Sequence, residues 1–538
     1  SVKIDSGHID GWVKSGRGYF DLGRYQDAID NFDNAIALNQ RCIEAFHYKG
    51  LSLEKIDRIE ESIHVFEVLL EIDPSNSDAQ YHKGLALAKL GDHQDAIVAF
   101  DKTITLQPSA PVWYNKGRSL TEIGRYLEAV DAFSHALETE SAYTEVYYYR
   151  GYSLLKLGRY TESIEDFDRN LASDTSNALG HYNRGIALQK LDRNKDALDA
   201  FDKALIYDPE NALLFYHKGQ SYANLKMFSE AVFSFDKTLR LKPKYSDARL
   251  KKGLSLYNLG KLRESIKDFD RTIHENPHNA HASYHKARAL SDLGNFTEAN
   301  EAYDRALELN PAFWEAHLHK GFVLLKLSRF EDAVSSFDLA LEIDGDLEQA
   351  HYHRGYALAK TGRHKDAITA FDRALSLLPT DVSAVYQKGL SLYTLGLYRD
   401  ALDSFDRTLE LNPQSADAAF NKALALHDLG RNEDSLAAAE RAIGINPDFS
   451  GAWYRKGVAH LDLEQYDKAV EAFDRTIDLD KTSAQAYFDK GLALIHLENP
   501  AKAIESFDQV LDLIPGYAPA FYHKGIALFS ISMYEEAV

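Results

Sequence analysis

The chain repeats its own pattern every 34 residues, with one 33-residue step at 77–109, and that period limits what it can fold into more than any other feature. Residues 382–415 show the pattern most plainly. In the first half, Val385, Gly389 and Leu392 fall at i, i+4 and i+7, one face of a helix. Leu395 and Gly396 break the pattern, and Gly396 is placed to take the left-handed conformation after a helix C-terminus. Ala401, Phe405 and Thr408 then repeat the same spacing, and Pro413 ends the second helix. Each helix has one apolar face, so an isolated pair leaves half of its apolar surface in water. The pair needs a copy of itself on either side.

The copies are present. Repeats start at residues 9, 43, 77, 110, 144, 178, 212, 246, 280, 314, 348, 382, 416, 450, 484 and 518, after a polar lead over 1–8; the last holds 21 residues. Counting from each start, position 8 is Gly in fourteen of sixteen repeats, and Ala at Ala287 and Ala423. A Gly inside a helix costs about 1 kcal/mol relative to Ala, so a recurring one implies a neighbouring helix too close for a side chain. Position 20 is always Ala or Ser, and position 24 is Phe in thirteen of fifteen repeats, with Tyr303 and Ala439 as exceptions. The Phe rings are expected to fill the core between paired helices.

Large residues at position 4, small ones at 8, 20 and 27, aromatics at 17 and 24 and Pro at 32 together resemble the tetratricopeptide repeat (TPR) over residues 9–538. That resemblance implies an all-α fold without sheet. It would be a single right-handed superhelical α-solenoid of about sixteen helix-turn-helix repeats, each touching mainly its neighbours. For such an array, the 538 residues need not be divided among several globular domains.

Two charge patterns accompany the repeat. Position 7 is Lys or Arg in every repeat but the first, and position 25 is Asp or Glu in every complete repeat but the fourth, which has Ser134. Each position 7 cation is expected to reach the position 25 acid of the repeat before it: Lys49 to Asp33, Lys218 to Asp202, Lys388 to Asp372. The net charge of −21 disfavours nucleic acid as a partner, since its backbone needs a basic face. No apolar run approaches the ~18 residues of a membrane span, so no membrane partner is expected. The opening SVKIDSGHID is polar, unlike a signal peptide, and one cysteine, Cys42, excludes an internal disulfide; both fit a cytoplasmic location. A chain opening on Ser is expected to have been processed or cut. The sixteenth repeat stops just inside its second helix, so its apolar end is expected either to continue in a longer chain or to be covered by another molecule.

No catalytic signature is present: no phosphate-binding Gly loop, no H-E-x-x-H and no C-x-x-C. The chain is therefore read as no enzyme, with no cofactor and no metal. His281 and His285 stand at a metal-like i, i+4 spacing, but equivalent histidines of successive repeats are ~10 Å apart, too far to share an ion. His317 and His351 fall at position 4, a core position, and are expected to be packed and hydrogen-bonded.

In TPR proteins the first helices line a concave face, with positions 2, 5, 6, 9, 12 and 13 pointing into it. Here position 5 is mostly Tyr and position 6 mostly His, Asn or Gln. These side chains suit an extended peptide, with rings for its side chains and imidazole or amide groups for its backbone; packing between first helices would also explain the Tyr residues. The candidate binding residues are Tyr216, His217, Tyr284, His285, Arg288, His319, Tyr352, His353 and Gln387. With His285, His319 and His353 expected in solvent, binding would change between pH ~5.5 and ~7.5. The Lys and Asn of the family's carboxylate clamp are missing, so a C-terminal carboxylate is not the expected ligand. The reading is a non-catalytic protein–protein interaction scaffold. Alternatives are a structural block that self-associates end to end into a fibre, and the regulatory arm of an enzyme. Repeat 13 lacks the ring at position 24 (Ala439) and the Gly at position 8 (Ala423), and marks an expected weak joint.

Overall fold

The computed structural model describes residues 9–537, so the polar lead over 1–8 lies outside the described residues. The described residues form thirty-two α-helices and no strand. They divide into two compact units, one ending at Glu275 and one beginning at Asn276. Within each unit every helix packs on the helices before and after it in sequence, and reaches no farther than the matching helix of the next repeat. Local pairing of this kind follows from helices that bury one stripe each and are joined by short turns.

The repeat at 382–415 folds as Val382–Thr394 followed by Tyr398–Leu411. Gly396 between them has φ +74°, its N–H donates to Tyr393 O at 2.9 Å, and Leu397 N–H donates to Leu392 O at 3.0 Å. The same turn position is left-handed in all sixteen repeats, yet seven of them place Asp57, Asp192, Lys226, Ser328, Glu464, Glu498 or Ser532 there. A left-handed L-residue costs roughly 1–2 kcal/mol. The helix pair therefore imposes the turn even where no Gly is supplied.

The close approach at position 8 is explained by the ring at position 24. A Cβ built on Gly16 would lie 2.5 Å from Phe32, one on Gly355 2.7 Å from Phe371, and one on Gly389 2.8 Å from Phe405. These Phe rings are fully buried. Both repeats with Ala at position 8 lack the Phe: Ala287 is matched by Tyr303 and Ala423 by Ala439. In repeat 13, Ala423 and Ala439 are fully buried in one cluster with Leu426, and the second helix continues through Gly444 to Ile445. Position 20 seals the crossing: Ser62 Oγ donates to Gly50 O at 3.0 Å and Ser163 Oγ to Gly151 O at 2.7 Å.

The charge ladder forms within both units. Lys49 reaches Asp33 at 2.5 Å, Lys83 Glu67 at 2.7 Å, Arg184 Asp168 at 2.5 Å, Lys320 Asp304 at 2.5 Å, Lys388 Asp372 at 2.6 Å and Lys490 Asp474 at 2.6 Å; Lys218–Asp202 pairs likewise. Where position 25 is Ser134, Arg150 donates to its hydroxyl at 3.2 Å and forks onto Asp166 of its own repeat, both bonds at 2.7 Å. Position 4 is held by a second recurrent bond. The rings of His317 and His351 each place Nε2 3.0 Å from a backbone carbonyl of the repeat before, Pro311 O and Gly345 O. A carbonyl can only accept, so Nε2 carries the proton in both.

Candidate functional site

The candidate residues lie on first helices of both units, and each unit is described separately. In the N-terminal unit, Tyr216 is buried. Its ring lies 5.0 Å from Tyr245, and its hydroxyl donates to Asp247. His217 stacks on Phe201 at 5.9 Å, and its Nδ1 lies 3.2 Å from Gln189 Oε1. Gln189 in turn borders a polar hollow of about 420 Å³ with Lys190, Gln220, Lys251 and Asn258.

In the C-terminal unit, Tyr284 is also buried, 4.7 Å from Phe313, with the Arg288 guanidinium 5.8 Å from its ring centre. His285 packs edge-on to Tyr284 at 4.9 Å. His319 lies 5.9 Å from Tyr284 and 5.7 Å from Phe322; Phe322 lies 4.7 Å from His353, which stacks on Phe337. Gln387 is half-buried on the first helix of the next repeat.

Two features of the expected face change in the structure. The position 5 rings are wedged between first helices, and their hydroxyls are tied to the next repeat. Asn115 Nδ2 donates to Tyr81 Oη at 3.0 Å and Asn421 Nδ2 to Tyr386 Oη at 3.0 Å. Each of these amides also donates to a backbone carbonyl at 2.8 Å, Pro111 O and Asp417 O. Both N–H groups are then used, and the amide oxygen is what each Asn offers a ligand.

The second change corrects the solvent exposure expected for His285, His319 and His353. All three rings are half-buried. Burial pushes His285 and His319 down to about 4 and lowers His353, with Arg288 adding to the shift at the first two. His217 is pushed to about 4 by the same cause. At pH ~5.5 to ~7.5 the rings at about 4 are neutral, so the change in binding expected across that range does not follow from them. The reason is tertiary: rings of the preceding repeat cover the imidazole faces, as Phe337 covers His353.

Only Tyr352 and His353 of the candidate set border the cavity of about 700 Å³ that opens on the first helices of repeats 10 and 11. Phe322, Leu325 and Tyr356 give it apolar walls, and Lys326, Glu348 and Asp381 give it charges. Phe322, Tyr356, Glu348 and Asp381 fall outside the sequence-derived set. The signal that marks the two acids is departure from the repeat: position 1 is acidic only at Glu348, and position 34 only at Asp381.

A family model for the tetratricopeptide repeat matches residues 13–77, 49–111, 114–178, 284–348, 386–448 and 454–518, more than half of the chain. The chain belongs to the tetratricopeptide-repeat family. A second tetratricopeptide-repeat model matches 178–211 and 348–381, and a model for anaphase-promoting complex, cyclosome, subunit 3 matches 224–306. TPR proteins generally mediate protein–protein interactions and are typically non-catalytic scaffolds. Among solved structures, YrrB, described as a TPR protein with an unusual peptide-binding site, is 22% identical over 36% of this chain and 98% of its own, with TM-score 0.33. A MamA structure is 25% identical over 32% of this chain and 95% of its own, TM-score 0.31. A chain of the APC/C hetero-tetramer Cut9–Hcn1 is 14% identical over 98% of this chain and 99% of its own, TM-score 0.34. No curated protein matches the chain. Among the described residues, no helix of this TPR protein is long and apolar enough to cross a membrane.

Proposed function

We propose that this TPR protein is a non-catalytic scaffold that takes an extended peptide segment of a partner protein along the first helices of its C-terminal unit. The observation that carries the reading is the cavity of about 700 Å³ beside Tyr352 and His353, which combines ring and aliphatic walls with a few polar groups. Rings supply contact area at low entropic cost, and neighbouring polar groups orient the ligand backbone. His353 serves this groove as a packed ring beside Tyr352, and His319 packs against Phe322 on the groove wall and against Tyr284.

Photo-cross-linking tests this. A benzophenone side chain at Tyr356, on the cavity wall, and at Thr369, exposed on the second helix of the same repeat, is exposed to a random peptide library with the intact chain. Adducts are expected at position 356 and not at 369. Equal labelling of the two positions would remove the groove from consideration.

A further inference from the structure

Repeat 11 breaks the pattern of the array at three places that meet in one cavity. Glu348 is the only acid at position 1, and Asp381 the only acid at position 34. Position 31 holds a polar or charged residue in thirteen of fifteen repeats, but Leu378 here. All three border the same cavity as Tyr352 and Tyr356. Array packing does not require these residues, because the other repeats pack without them. Departures from an otherwise consistent pattern concentrate where function, not folding, sets the residue.

Asp381 has a structural duty: its Oδ1 accepts the Ser383 N–H at 2.9 Å and caps the helix that begins at Val382. Asn or Ser performs the same duty in other repeats, as Asn76 and Ser415 do, so the cap does not require the charge. Glu348 faces Asp381. Partial burial and the neighbouring Asp381 carboxyl both raise its pKa above the ordinary carboxylate range. Among the described residues no Lys or Arg is paired to either, and two carboxyls held together make a seat for a cation. The aromatic walls can serve the same ligand, and the Lys360 ammonium already lies 5.3 Å from the Tyr356 ring centre. Lys326 also borders the cavity. It is in the last turn of the first helix of repeat 10, whereas Glu348 is in the first turn of the first helix of repeat 11.

We propose that the cavity seats an arginine side chain of the bound peptide, its guanidinium between Glu348 and Asp381 and its stem along Tyr352 and Tyr356. Guanidinium suits the place better than ammonium: its planar fork can donate to two carboxyls at once while its face lies on a ring. The proposal rests on the groove reading above and specifies which residue that groove selects.

The test uses the intact chain and the library peptides that cross-link at position 356. Arginine is expected to be enriched among them over lysine. Replacing that arginine with citrulline, which keeps the shape and removes the charge, should weaken binding about 10-fold or more. On the Glu348→Gln, Asp381→Asn double variant the same replacement should change affinity less than about 2-fold, because Asn still caps the helix and Gln keeps the side-chain shape. Helicity by circular dichroism confirms that the variant is folded; if it is not, Glu348→Gln alone, which touches no cap, gives the same comparison. Groove-bound peptides without arginine enrichment, or an equal citrulline loss on both chains, would overturn this inference and leave the groove reading intact. Absence of adducts at position 356 would end both.

Discussion

At the scale of single residues, the array depends on a glycine facing a ring. A methyl at Gly355 would sit 2.7 Å from Phe371, whose ring is fully buried and has no free space to enter. Gly355→Ala is therefore expected to destabilise by about 1–3 kcal/mol, and Phe371→Ala by about 3–5 kcal/mol. Repeat 13 places Ala423 with Ala439, so the two changes together should cost less than their sum. A urea-melt double-mutant cycle reads the coupling, expected at ~1 kcal/mol or more. Strict additivity would mean that ring and glycine do not compete for the same space. This pairing could be inferred from the sequence, because positions 8 and 24 deviate in the same two repeats.

At the scale of elements, the helix-to-helix ion pairs are not equal. Lys388–Asp372 joins neighbouring repeats with the Asp372 side chain 52% exposed, and Lys388→Met is expected to cost at most ~1 kcal/mol. Arg150 holds Asp166, whose side chain is 3% exposed. Arg150→Met leaves that carboxylate buried and unpaired, and should cost roughly 3–5 kcal/mol. Hydrogen exchange should accelerate in repeats 4 and 5 for Arg150→Met, with little change for Lys388→Met, since each repeat leans mainly on its neighbours. Similar exchange in the two variants would show that the Asp166 fork contributes no more than the exposed ladder. Positions 7 and 25 could be paired from sequence because opposite charges recur at both. The Asp166 fork could not, because position 23 is otherwise small or neutral except at Asp268.

At the scale of the whole molecule, packed histidines couple stability to pH. His217, His285 and His319 lie near 4 in the folded chain, below the ordinary 6.5. As pH falls through 6.5 the unfolded chain takes up protons first. The stability these rings allow is therefore complete above about pH 6.5 and is lost progressively down to about pH 4. At pH ~5.5 the loss is roughly 1 kcal/mol per ring. The thermal midpoint should be lower at pH ~5.5 than at pH ~7.5. Changing the three histidines to Asn, the residue found at the same position in Asn115, Asn183 and Asn421, should flatten that slope. An unchanged slope would trace it to other groups.

The sequence by itself determined the architecture: a 34-residue period, with Gly, Ala and Phe fixed in register, admits one packing of helix pairs and repeats it sixteen times. It also determined the ladder of Lys or Arg with Asp or Glu, because a surface pair one repeat apart needs only the right charges at the right positions. Only the tertiary structure decided which polar residues remain available. Tyr216, Tyr284 and the position 6 histidines look like groove residues on a single helix, but the helix and ring of the adjoining repeat cover them. The turn at Lys226 or Glu464 is left-handed without glycine for the same reason: the helix pair fixes it from outside. The cavity at Glu348 and Asp381 depends on residues 33 apart in sequence that meet only when first helices stack, and no period within one repeat brings them together.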